Sequence, residues 1–218
     1  MKVITHSIFT LLSLISMAFA QTDPPAAENE AQDDAPATYE DYKKAFKSAL
    51  PEGEVGKIGF YSEIKVQEGQ IYLNGSDTSK LMELYGNLPS TYAGGILALD
   101  ESYVITFNYD GIGYVNDDEK EDLDADELLK VFREGDESSN KQRVAAGLDT
   151  LTTVGWSFEP NYNASTNNLE WALLLRGGDG TDTVNHNIKL LGRKGVTDAT
   201  LICDPEQLTS LRPMLDTT

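Results

Sequence analysis

Residues 151–203, LTTVGWSFEPNYNASTNNLEWALLLRGGDGTDTVNHNIKLLGRKGVTDATLIC, decide the fold. Four runs in this stretch, 151–158, 168–176, 184–191 and 196–203, are rich in β-branched, aromatic and leucine residues, as strands are. The connectors hold Pro160-Asn161, Gly177-Gly178-Asp179-Gly180 and Gly192-Arg193-Lys194-Gly195, all turn-forming. Three successive hairpin connections predict an antiparallel meander, with a short helix over 205–211 covering part of it.

Working back toward the N-terminus, Leu123-Asp124-Ala125-Asp126-Glu127-Leu128 is the clearest local signal. Asp124 reads as an N-cap, Glu127 as its box partner, and Leu123 as a staple to Leu128. That helix is expected to end near Gly135, with a further short helix over 138–147. Residues 95–99 and 103–109 read as a hairpin turned at Asp100-Glu101, and Gly111 and Gly113 suggest a bend beyond it. Upstream, 77–85 reads as a helix stopped by Gly86. Residues 58–66 alternate and turn at Glu68-Gly69 into Ile71-Tyr72-Leu73, a second hairpin signal. Thr38 with Asp41 starts a helix whose face is Tyr42, Ala45, Phe46, Ala49 and Leu50, ended by Pro51 and Gly53. No internal repeat is present. The fold class expected is α+β: one domain over 38–214, an antiparallel sheet built largely from the C-terminal meander, with helices packed on it.

Two segments precede that domain. Residues 21–37, QTDPPAAENEAQDDAPA, carry no large apolar side chain and read as an acidic disordered linker. Residues 1–20 read as an export signal. Lys2 is the positive end, Ile8 to Met17 the short apolar core, and Ala18-Phe19-Ala20 the cleavage pattern. A membrane span needs about 20 apolar residues, and this core, broken by Ser13 and Ser16, is shorter. No cysteine stands at the signal's end to carry a lipid.

The 218 residues carry a net charge of −19, and loss of residues 1–20 leaves 198 residues at −20. Such an acid excess excludes nucleic-acid binding, which requires Lys and Arg to neutralise phosphates. The single cysteine, Cys203, allows no intramolecular disulfide and is expected as a small buried group on a strand.

Several further stretches resemble a known family. Asn140-Lys141-Gln142-Arg143, Gly155-Trp156 with Pro160 and Tyr162, Leu169-Glu170-Trp171-Ala172, Val184-Asn185-His186-Asn187 and Leu191-Gly192-Arg193-Lys194-Gly195 occur in order. Together with Gly111 to Val115 and the Leu123–Leu129 segment, they make residues 55–205 similar to bacterial domain-of-unknown-function family 2167. The resemblance implies a predicted membrane-anchored protein, and it brings no assigned activity, ligand or catalytic residue. It also implies an apolar C-terminal membrane segment. The chain runs to Leu215-Asp216-Thr217-Thr218 without one, so residues 4–20 are the stretch expected to tie it to a membrane if the signal is kept.

The residues offer little chemistry. After loss of His6, His186 is the one histidine, which excludes multi-histidine zinc sites; there is no H-E-x-x-H and no G-x-S-x-G. His186, between Asn185 and Asn187 on a strand, reads as structural rather than as a catalytic base. The acidic run 116–126 fails the EF-hand pattern, since the required Gly falls on Glu127 and the required Glu on Arg133; it reads as a solvated loop and helix cap. Glu170 reads as an outward strand residue, and Trp156 and Trp171 as core rather than a sugar platform. Arg193 and Lys194 form a local basic spot at an exposed turn, able to anchor a carboxylate or a lipid headgroup.

No catalytic residue, metal ligand or cofactor is assigned. The function expected is a non-catalytic module of the bacterial envelope, exported to the periplasm or the outer face of the inner membrane, binding a partner protein. Two alternatives stay open on the residues alone: a hydrolase using carboxylates such as Asp110 and Glu170, and a calcium-stabilised module.

Overall fold

The computed structural model describes residues 6–7, 37–60, 62–116 and 123–217. The signal expected over 1–20 and the linker over 21–37 lie outside them, apart from His6, Ser7 and Ala37, as does the acidic run 117–122.

The protein is an α+β domain built on one antiparallel sheet of seven strands. In chain order the elements are α1 (Tyr39–Ala45), β1 (Val55–Ile58), β2 (Ser62–Lys65), β3 (Gln70–Asn74), α2 (Gly75–Leu84), β4 (Gly94–Ala98) and β5 (Tyr103–Asp110). There follow α3 (Ala125–Ala145), β6 (Leu151–Asn163), β7 (Asn168–Gly177), β8 (Asp182–Leu191), β9 (Val196–Cys203) and α4 (Leu208–Leu211), the last flanked by 3₁₀ turns Pro205–Gln207 and Arg212–Thr217. The sheet runs β3-β4-β5-β9-β8-β7-β6, and β1 pairs with β2 as a separate hairpin. The meander expected over 151–203 is present with hairpin register throughout. Its last strand, β9, pairs with β5, joining the two halves of the chain.

Both faces of the sheet are covered. On one, α1 and α2 bury Tyr42, Phe46, Leu81 and Met82 against Ile71, Leu73, Val104 and Ile202. On the same face α3 buries Leu128 and Phe132 against Leu169, Trp171, Leu173 and Leu175. The opposite face carries the β1–β2 hairpin and the C-terminal turns, packed on Ile96, Ile105, Phe107, Ala172, Val184 and Leu201. Cys203 lies buried there, its thiol pushed up to about 12 by burial and the nearby Asp204.

Four sequence expectations need correction. First, α3 is a single 21-residue helix, not two. Gly135 costs it about 1 kcal/mol, but Phe132, Asp136, Asn140 and Arg143 all engage the strand or loops alongside and carry the helix through. Second, β6 continues past Pro160, which is tolerated because β6 is an edge strand with register shifts up to Asn161. Third, residues 58–66 are not one strand. The chain reverses at Gly59, whose φ of 59° suits glycine, so β1 pairs with β2, while β3 pairs with β4 instead of β2. Fourth, α1 stops at Ala45; Leu50 then bridges to Tyr72 as extended chain.

Candidate functional site

At the end of the sheet where the β8–β9 turn lies, one cross-strand row forms a floor. Asn168, Leu190, Thr197 and Tyr109 are successive partners on β7, β8, β9 and β5, and all point to the face that carries the β1–β2 hairpin. Thr166, in the turn before β7, closes one side, and the turn Leu191 to Gly195 another. Ser62 of β2 reaches over from the hairpin, its hydroxyl 3.4 Å from that of Thr197. The result is a groove of about 540 Å³.

The turn that presents Arg193 and Lys194 is held in place from beneath. The Tyr109 hydroxyl and the Gly113 amide both donate to the Lys194 carbonyl, at 3.1 and 3.3 Å. The Gly192 amide donates to the Gly195 carbonyl at 2.9 Å. Gly195 lies so close to β5 that a Cβ there would sit 2.1 Å from the Asp110 carbonyl oxygen, which explains a glycine at that position. Two residues before Ser62, at the tip of the β1–β2 hairpin, Phe60 is 91% exposed. The lining holds two cations, four hydroxyls and an amide, with no Asp or Glu, although the chain has 36 acidic residues.

A second cluster lies one row inward on the same face. Glu170 was expected to point outward to solvent; instead its side chain is only 13% exposed. Its carboxylate accepts from Arg212 Nε at 2.6 Å and Nη2 at 2.9 Å, and is 2.7 Å from Nε2 of the fully buried His186. The Arg212 guanidinium stacks 4.1 Å over the Phe158 ring, and Phe158 meets His186 edge-on. Burial by itself would raise the Glu170 pKa, but the hydrogen bond from Arg212 and the charges of His186 and Arg212 outweigh it and hold the carboxyl below its ordinary value. This cluster fastens the C-terminal turns to the sheet.

The carboxylate pair Asp110 and Glu170 is not formed. Asp110 pairs with Val196 and faces the helix side, whereas Glu170 faces the opposite side, and β9 and β8 lie between their strands. Three strand spacings alone are about 14 Å, beyond the reach of paired glycosidase carboxylates. Among the described residues no three of His, Cys, Asp and Glu cluster as metal ligands do; most of the acidic run proposed for calcium lies outside them. Trp171 is core, and Trp156 packs at 89° on Phe132 and donates its indole N–H to the Ala125 carbonyl. Of the basic turn's expected features, exposure holds, and the groove beside it was not foreseen.

Fold and site thus define a single α+β domain with a polar, locally cationic groove at the turn end of its sheet. The chain belongs to the family described as protein of unknown function (DUF2167), whose model matches residues 53–218. No curated protein matches the sequence. Among solved structures it is similar to the solution structure of cyanobacterial PsbP from Synechocystis sp. PCC 6803, at 12% identity and a TM-score of 0.42, over 76% of this chain and 94% of that one. No described helix is long and apolar enough to cross a membrane.

Proposed function

We propose that this chain is an exported, non-catalytic module of the bacterial envelope that binds a partner protein through the groove at the turn end of its sheet. The observation that carries the reading is the groove itself: preformed, lined by hydrogen-bonding groups and two cations, with Phe60 exposed at the tip of the hairpin that supplies Ser62. An exposed aromatic beside a polar, shaped concavity is the composition of an interface anchor and its rim. Among the described residues that line the groove there is no Asp, Glu, His or Cys. The export signal over 1–20 supports placement in the envelope.

Photo-crosslinking in living cells tests the reading. With a photoreactive phenylalanine analogue in place of Phe60, one discrete adduct is expected. The same analogue in place of Val144, which is 62% exposed at the far end of α3, should not produce it. Adducts from neither site, or the same adducts from both, would overturn the proposal.

A further inference from the structure

We infer that the groove takes a short extended peptide segment bearing carboxylates, with Arg193 as the principal charge partner; this rests on the protein-binding reading above. Charge selects the occupant. The chain is at −19, yet the groove lining carries two cations and no acid, so the local sign is opposite to that of the molecule. Arg193 is exposed and forms no ion pair among the described residues, and its planar fork suits bidentate pairing with an incoming carboxylate.

Size selects the form. A floor crossing four strands is about 14 Å long, the span of four or five extended residues at about 3.3 Å each. The hydroxyls of Thr197, Thr166 and Ser62 and the Asn168 amide suit a peptide backbone, and Leu190 offers apolar contact between them. A lipid surface or a nucleic acid carries its negative charge far past the groove. It would meet the acidic remainder of the molecule within a Debye length of about 8 Å. A short segment with one or two carboxylates does not. Because the turn is already braced by Tyr109 and Gly113, little ordering is needed to receive it.

The test uses the signal-free protein and two labelled hexapeptides, one alternating Glu with Val and the other alternating Gln with Val. The Glu peptide is expected to bind at least about tenfold more tightly. It should weaken as salt is raised from 50 to 500 mM and shift the amide resonances of residues 192–195. R193Q should cost about tenfold for the Glu peptide and leave the Gln peptide and the circular dichroism spectrum unchanged. Equal affinity for both peptides, or no effect of R193Q, would overturn the inference, as would sedimentation with phosphatidylglycerol vesicles in preference to the Glu peptide. If R193Q leaves the adduct from position 60 intact while peptide selectivity is absent, the carboxylate inference fails and the protein-binding reading survives. Absence of that adduct when Arg193 is intact sinks both.

Discussion

At the scale of single residues, the Glu170–Arg212–His186 cluster governs how the C-terminal turns stay on the sheet. Removing one member of a mostly buried ion pair leaves its partners uncompensated. E170Q is therefore expected to lower the unfolding free energy by about 3 kcal/mol at pH 7, read from urea titration with an unchanged slope. The pH dependence follows from the depressed carboxyl. A carboxylate whose folded pKa lies below its unfolded one stabilises above the ordinary value of 4.5 and loses that stabilisation as pH falls through the folded value. The wild-type advantage over E170Q should thus hold at pH 7 and shrink below about pH 4; an advantage that stays constant to pH 3 would contradict the assignment. A signal for this burial was present in the sequence. Leu169, Trp171, Leu173 and Leu175 alternate with Ala172 and Leu174, so β7 is apolar on both faces, and a residue on either face of such a strand is covered. What the sequence could not show was the partner, because Arg212 stands 42 residues away.

Among the elements, α3 and β6 explain each other. An edge strand exposes unpaired backbone groups, and here α3 supplies side chains to them at helical spacing. Asn140 accepts from the Leu151 amide at 2.7 Å and donates to its carbonyl at 2.8 Å. Asp136 accepts from the Thr153 amide and hydroxyl, and Arg133 donates to the Val154 carbonyl. One turn further, Arg143 is 1% exposed and donates to the carbonyls of Asp149 and Gly86, tying the helix end to the loop after α2. Burial lowers the Arg143 pKa without removing the charge. N140A is expected to cost about 2 kcal/mol, the penalty for leaving two backbone groups unpaired. It should also speed hydrogen exchange at the Leu151 amide selectively; uniform acceleration over the sheet would argue against a local role. This pairing explains the break wrongly expected at Gly135. Residues 133–143 have too few apolar positions to read as one amphipathic helix, because their inward face is polar and serves a strand edge. The run Asn140–Arg143 was visible as a motif, and its work is structural.

Over the whole molecule, hairpins between neighbouring strands were legible because alternation and turn residues are local signals. The groove was not, because its floor draws on β5, β7, β8 and β9 and its rim on β2, and the pairing of β5 with β9 spans about 90 positions. Cys203 was placed correctly, since an apolar run fixes burial without any knowledge of partners. The proposed export is tested at this scale too: if residues 1–20 act as a cleaved signal, the protein recovered outside the cytoplasm is expected to show an intact mass lacking them, and a mass that includes them would overturn cleavage. The central seam of the sheet has a bearing on how the chain is made. Synthesis runs from the N-terminus, so β5 leaves the ribosome roughly 90 residues before the strand that completes it. Through that interval a run as apolar as Tyr103–Phe107 waits with one edge open, a template for the wrong strand. A chain that breaks off before Val196 would never close that edge, and its two half-sheets would each be left with an unmatched border. The strand Val196–Cys203 therefore acts as the fold's completion step, and the window before its arrival is when the molecule most needs a companion to shield it.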